Sequence, residues 1–439
     1  MKFSQLGQLA LASAVSAALV LGITACGQSN TIDFVYIASA NSNPGQIFAY
    51  ASDGESGALT QILGSPFPAG RNTIALLTSP NDKQVYALNH DDNTVIEYAV
   101  GSDGKLFAQN TYNIQSGTNP NGMAISPDGK TLYVVEAYGL APNATPYSPT
   151  TPGIGALVQF PIAADGTLGN ETAYATCNNP VAVTVLGSAT NAAGGAVYVV
   201  NDPAGQLTTL IDTVAAQNRG ATGSATVTYP AVGACSGGTA PVGQVSSYVI
   251  NSDNSLSAGT GSPFAAGVAP DAIATDPTNR FVYVTDFKQN VILSYGVQGS
   301  GGFIIPLQGG SSTTTPTGNL PSAITVDPRG KFIYVANYLD GTVSGYALNA
   351  TTGVPSALAG TSNSTATDPG PAAISVENSI GRYIYTANFI GNSISGLYFD
   401  PNAGTTNIVQ NSPFPGVAKA TAVATVKHGD HAIQVNPTY

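Results

Sequence analysis

Four side chains in this chain have the types that hydrolytic chemistry asks for. His90 and Glu136 could take a proton from water, Arg71 could hold a developing oxyanion, and Asp286 offers a second carboxylate. Their placement follows one recurring phrase, seen in "RFVYVTD", "KFIYVAN" and "RYIYTAN". Seven tyrosines stand in register in it: Tyr36, Tyr86, Tyr133, Tyr198, Tyr283, Tyr334 and Tyr385. Three residues after them come Ser39, Asn89, Glu136, Asn201, Asp286, Asn337 and Asn388. Asn and Asp suit a point where a strand turns over, because their side chains accept backbone N–H groups there. Glu136 and Asp286 depart from that pattern. His90 follows Asn89, and Arg71, Lys288 and Lys419 lie near the same ring. His428 and His431 flank "KHGDH" with Asp430, and two His in one turn read as solvent-facing, so neither a metal nor a cofactor is expected. No P-loop, HExxH, Cys-rich zinc pattern or GxSxG occurs, and the "GSPF" strings lack the spacing of a nucleophile elbow.

The elements that must carry these residues are strands. Only 8% of residues are charged and 50 are glycine, and short Val, Ile, Tyr and Thr runs alternate with Gly, Asn, Asp and Pro clusters. Before most of the seven tyrosines comes a strand and turn ("PSAITVDPRGK", "PDAIATDPTNR"). After them comes a third strand ("NVILSYGV", "GQVSSYVI"), then a turn and a fourth ("SDGKL", "ADGTL"). A repeat of about fifty residues with four antiparallel strands each predicts an all-β, seven-bladed β-propeller. The chain opens on a second strand, "FVYIAS", and the missing first strand is "KATAVATV" near the C-terminus, which would close blade 1. "HAIQVN" at 431–436 reads as a surplus edge strand or the sign of an eighth blade. Insertions at 137–155 and 202–243 fall on the top face, where second-to-third connections gather. Lys83, Lys130, Arg280, Lys331 and Arg382 fall in bottom turns and read as solvated.

Residues 1–25 read as a signal peptide: Lys2, then "LALASAVSAALVLGITA" up to Cys26. The "ITAC" ending resembles a bacterial lipobox, which makes Cys26 the acylated residue of an exported, lipid-anchored protein. Residues 26–31 are a short linker, and 32–439 form one propeller. Gly27 to Thr31 span at most about 18 Å when extended, which sets the bottom face toward the membrane and the insertions outward. Cys177 and Cys235 both map to the top of blade 4 and are expected to pair, two free thiols being the alternative. Net charge is −11, or −12 once Lys2 is removed, which argues against nucleic acid as a partner. A monomer is expected.

The "YVTD", "YVAN" and "YTAN" strings, the "DP-x-x-R/K" turns and the seven units resemble the lactonase-type seven-bladed propellers, the 6-phosphogluconolactonase-like and YVTN-repeat proteins. The resemblance covers roughly Ile32 to Val426. It implies a propeller fold and, for the enzymes of the group, lactone chemistry on the top face. Those enzymes tend to place Arg and His after the Pro that enters a first strand. Here those places read Pro120-Asn121, Pro270-Asp271, Pro321-Ser322 and Pro371-Ala372. The expectation is therefore a tethered binding module for a protein, glycan or small molecule. The alternative is a lactone hydrolase using His90 or Glu136 as base and Arg71 as oxyanion partner.

Overall fold

The computed structural model describes residues 30–41, 43–139, 155–187, 195–202, 243–299, 301–307, 314–358 and 363–433. Seven antiparallel sheets stand around a ring, and no helix occurs among the described residues. Blade 6 shows the plan: Pro321–Val326 innermost, then Phe332–Asn337, Thr342–Leu348 and Pro355–Ala357, with Ser364–Ala366 pairing back onto the third strand. The other innermost strands are Thr73–Thr78 in blade 2, Gly117–Ile125 in blade 3, Pro180–Leu186 in blade 4, Pro270–Thr275 in blade 5 and Pro371–Val376 in blade 7. Each packs on the next around the ring. Blade 1 takes its innermost strand from the C-terminus: Ala420–Lys427 pairs with Thr31–Ser39, Phe34 opposite Val426 and Ile37 opposite Val423. Residues 431–433 belong to no strand, and 434–436 lie outside the described residues.

Second strands are buried from end to end, as in Phe281–Asp286, Phe332–Asn337 and Tyr383–Asn388. Each is sandwiched between two blades, so both of its faces need apolar partners and the alternation of a half-exposed strand disappears. The recurring tyrosine has a specific task in this packing. Its hydroxyl crosses to the next blade and donates to a glycine carbonyl in that blade's outer turn. Tyr36 reaches Gly104 at 2.9 Å, Tyr86 reaches Gly166 at 2.7 Å, and Tyr283 reaches Gly353 at 2.8 Å. Tyr334 reaches Gly404 and Tyr385 reaches Gly57, both at 2.9 Å. Glycine is needed at Gly353 and Gly404 because φ is +70° and +74°, and a Cβ would sit 2.3–2.4 Å from Phe281 or Phe332. Third-strand tyrosines staple in the other direction: Tyr98 donates to Pro68, Tyr295 to Ala265 and Tyr346 to Pro316 of the preceding blade.

These staples yield a contrast within one ring. Tyr334→Phe should lower stability by about 1–2 kcal/mol, since a buried carbonyl loses its donor. Tyr198 has the same burial but no hydrogen-bond partner for its hydroxyl, so Tyr198→Phe should be neutral or slightly stabilising. Urea unfolding of the two variants checks this, and equal losses would refute the staple.

Every innermost strand also carries a one-residue bulge near its top, at Ile74, Asn121, Val181, Asp271, Ser322, Ala372 and Thr421. Three of these side chains bond forward to the next blade. Asn121 donates to Pro180 at 2.8 Å, Ser322 to Pro371 at 2.6 Å and Thr421 to Thr73 at 2.6 Å. The serines of the "GSPF" strings and of the matching "NSPF" are structural too: Ser65, Ser262 and Ser412 each accept a third-strand N–H at 2.9 Å. In the bottom turns, Lys83, Lys130 and Arg280 are exposed as expected, but Arg382 is half-buried, with its guanidinium 5.0 Å over the ring of Tyr398. No helix among the described residues is long and apolar enough to cross a membrane; residues 1–29, including Cys26, lie outside them.

Candidate active site on the top face

The ring of residues three after each Tyr is buried in all seven blades. Six members are saturated by local partners. Asp286 accepts four backbone N–H groups, from Val268 and Ala269 on Oδ2 and from Lys288 and Gln289 on Oδ1. Asn337 accepts from Gly318 and donates to Thr342 and Ser344, and Asn388 is held by Thr386, Ser393 and Ser395. Asn89 bonds Thr73 and Thr94, Asn201 bonds Thr176, Cys177 and Ser246, and Ser39 donates to Ala418. Asp286 is thus a turn anchor with no lone pair to spare for a substrate.

Glu136 stands apart. It ends the central part of strand Thr131–Gly139, opposite Pro120 on one side and Ala156 on the other. It is fully buried, and neither carboxyl oxygen has a hydrogen-bond partner. Burial first, and then the charge of Glu171, push its carboxyl well above the usual carboxylate range. Room for it depends on Gly117, where a Cβ would lie 2.6 Å from the Glu136 side chain. Glu171 is itself occupied by the N–H of Gln115 and the hydroxyl of Ser116.

His90 and Arg71 come together on the adjacent blade 2, but not with Glu136. His90 Nδ1 lies 2.8 Å from Asp91 Oδ1, and Asn72 Nδ2 holds the same oxygen at 3.1 Å. Burial raises the Asp91 carboxyl, yet the bonds from His90 and Asn72 outweigh it and hold the group below its ordinary value. Arg71 is committed elsewhere: Nε meets Asp92 Oδ1 at 2.5 Å and Nη2 donates to the Asp91 carbonyl at 2.8 Å. Asp91 and Asp92, neighbours of His90 in "NHDDN", are the partners that sequence reading missed. The signal was there in two acids following a His in a turn.

Asp271 was also missed as a site. It holds the bulge position of blade 5, is buried at 6% exposure, and neither carboxyl oxygen has a partner meeting hydrogen-bond geometry. Burial drives its carboxyl far up, against an opposing contact from Thr285 and with help from Asp286. The top face therefore carries two buried, unpartnered carboxyls whose pKa burial raises, on blades 3 and 5. Among the described residues its cations are Lys288, Lys419 and the already paired Arg71, against Asp91, Asp92, Asp340 and Asp368. Such a surface disfavours a phosphorylated ligand. A cleft of about 430 Å³ lies at the bottom, lined by Arg280, Phe281, Gln298, Thr352 and Val354, and holds no base.

Among the described residues no group of three or more His, Cys, Asp or Glu could hold a metal. Cys177 is disulfide-bonded; Cys235, its expected partner, lies outside the described residues, as do 140–154 and 203–242 of the two insertions.

Known proteins agree with the ring. Residues 237–418 match the family described as "Lactonase, 7-bladed beta-propeller". Curated proteins give no match. The periplasmic gluconolactonase of Pseudomonas aeruginosa superposes with a TM-score of 0.64 at 14% identity, covering 91% of this chain and 100% of that one. A Bacteroides fragilis protein provisionally named a 6-phosphogluconolactonase gives 0.62 at 16% identity, over 91% and 99%. A functionally unknown protein from Desulfotomaculum acetoxidans gives 0.60 at 14%, over 90% and 99%. Identities this low carry the fold alone, a seven-bladed β-propeller, and the family match covers less than half of the chain.

Proposed function

We propose that this protein hydrolyses an uncharged lactone on its top face, where blades 2 and 3 meet. One observation carries the reading: Glu136 is the single ring member that is buried, neutral and unpartnered. A carboxylic acid kept neutral in an apolar setting is a donor for a developing oxyanion. The role first given to Arg71 thus passes to Glu136, because Arg71 is tied to Asp92. His90 is the base. With Nδ1–H donated to Asp91, Nε2 is left to accept a proton from water. Glu136 and His90 share no hydrogen bond, so the lactone must lie between them: water adds to its carbonyl carbon on the His90 side while Glu136 donates to the carbonyl oxygen. The ring C–O bond then breaks, the proton on His90 passes to the departing ring oxygen, and a hydroxy acid results. Among the described residues of this face acids outnumber cations, which favours a lactone without phosphate. The protein does this outside the cytoplasm, anchored through Cys26. Strand Thr31–Ser39 starts on the bottom rim, which supports an outward-facing top.

A second reading rests on the bulge positions: Asn121, Val181, Asp271, Ser322 and Ala372 supply no Arg-His pair. In that reading the same face binds its ligand without turnover. Hydrolysis of gluconolactone and a lactone panel by purified residues 27–439, above the spontaneous rate, separates the two. Turnover that falls about 100-fold in Glu136→Gln supports the enzyme. Saturable binding with buffer-level rates supports the binder.

A further inference from the structure

We propose that Asp33 and Glu377 form a proton-sharing latch across the seam that closes the ring, holding blade 7 to blade 1 in acid and loosening in alkali. The position three before the recurring Tyr carries Lys83, Lys130, Arg280, Lys331 and Arg382 in five other blades. In blade 1 it is Asp33, fully buried and paired in register with Lys427 of the closing strand and Ser52 of the next one.

Glu377 comes to it from the bottom turn of blade 7 and is also fully buried. Its Oε2 accepts the N–H of Ser379 at 2.8 Å and of Ile380 at 2.9 Å, and its Oε1 that of Arg382 at 2.6 Å. Ser379 Oγ seats this turn on strand Thr31–Ser39 by donating to the Ile32 carbonyl at 2.6 Å. Asp33, next in sequence to Ile32, is thereby brought into the reach of Glu377 and Ser379. The charges that act on Asp33 are Glu377 and Asp82, both acids. Asp82, from the bottom turn of blade 2, accepts the Lys427 N–H at 3.3 Å. Tyr385 faces the same space, its hydroxyl engaged by Ser52 and Gly57. His428, just beyond the closing strand, packs on Phe34 at 4.7 Å.

Two carboxylates in contact cannot both ionise in a buried site. Glu377 spends its lone pairs on three backbone N–H groups, whereas neither Asp33 oxygen has a backbone donor, so the shared proton sits on Asp33. Burial, then Glu377, push Asp33 up to about 10. The sign follows. The open chain releases this proton at an ordinary carboxylate value of about 3.9, and the closed seam does not. Closure is therefore favoured in acid and weakens steadily as pH rises toward about 10.

Amide hydrogen exchange of the intact protein tests this region by region. Protection of Phe34–Ile37 and Val423–Val426 should fall by up to about tenfold per pH unit between about pH 6 and about pH 9. Val282–Val284 in blade 5 should hold its protection over the same range. Asp33→Asn keeps a donor but has no proton to lose, and should flatten the fall at the seam. The regional contrast in the unaltered protein decides the matter if that variant does not fold. Seam protection that tracks blade 5 at every pH, or a fall that survives in Asp33→Asn, overturns the latch.

Discussion

Replacing Arg329 by alanine should cost about 3–5 kcal/mol of stability, the range for breaking one side of a buried ion pair. Its side chain is 3% exposed and its partner Asp327 is fully buried. Nη1 meets Asp327 Oδ1 at 2.5 Å within blade 6, and Nη2 donates to the carbonyls of Ile380 and Gly381 in blade 7. The guanidinium also lies 5.6 Å from the centre of the Phe399 ring. Gly381 allows this approach, since a Cβ there would sit 2.9 Å from Nη2. Burial raises the Asp327 carboxyl and Arg329 opposes that rise, so Arg329→Ala leaves a buried acid without its counter-charge and two carbonyls without a donor. Arg329→Lys should recover part of the loss, because an ammonium keeps the charge but not the fork. The midpoint of urea unfolding measures both. A loss under about 1 kcal/mol, the scale of an exposed pair, would show that the bridge contributes nothing special.

The larger effect belongs to the closing strand. A chain ending at Lys419 loses Ala420–Lys427, which pairs along almost the whole of Thr31–Ser39. Ala422, Ala424 and Val426 fill a core with Phe34, Tyr36, Leu76 and Val85. Val423 joins Ile37, Tyr385 and Ile394 in the neighbouring one, so both sides of the seam are opened at once. The loss should be comparable to a whole domain's stability, about 5–15 kcal/mol, and the bare edge of Thr31–Ser39 should promote aggregation. Circular dichroism should show no cooperative melt for this truncated chain. An unchanged melting temperature would mean that the ring does not depend on its closure.

The architecture was readable because each blade repeats the same physical problem. A second strand buried on both faces needs Val, Ile and Tyr throughout, and the Tyr must lie where its hydroxyl meets the next blade's outer turn. That gave seven units, the missing first strand and its place at the C-terminus. Asn337 was correctly read as an acceptor of a backbone N–H because its chemistry is local, whereas Asn388 is held by the hydroxyls of Thr386, Ser393 and Ser395 instead. What escaped was whatever depends on burial by a neighbouring blade. Arg329 looks like any turn cation until blade 7 covers it, and Arg382 until Tyr398 lies under it. Asp33 and Asp271 look like ordinary surface acids, although each breaks a repeat position. Of the candidate site, Glu136 was visible as a departure from the ring. That Arg71 belongs to Asp92, and His90 to Asp91, depends on how the connection into blade 2 folds against the loop after Asn89.

The central claim is that Glu136, neutral and unpartnered, acts with His90 on a lactone. The pH profile of kcat/KM on gluconolactone, corrected for spontaneous hydrolysis, tests it most directly. Activity should fall as the Glu136 proton is lost, at a pH well above the ordinary carboxylate range, because burial raises its pKa. Glu136→Gln, which cannot lose a proton, should turn over far more slowly and show no such fall. Identical profiles for the two proteins, or no turnover by either, would contradict the account.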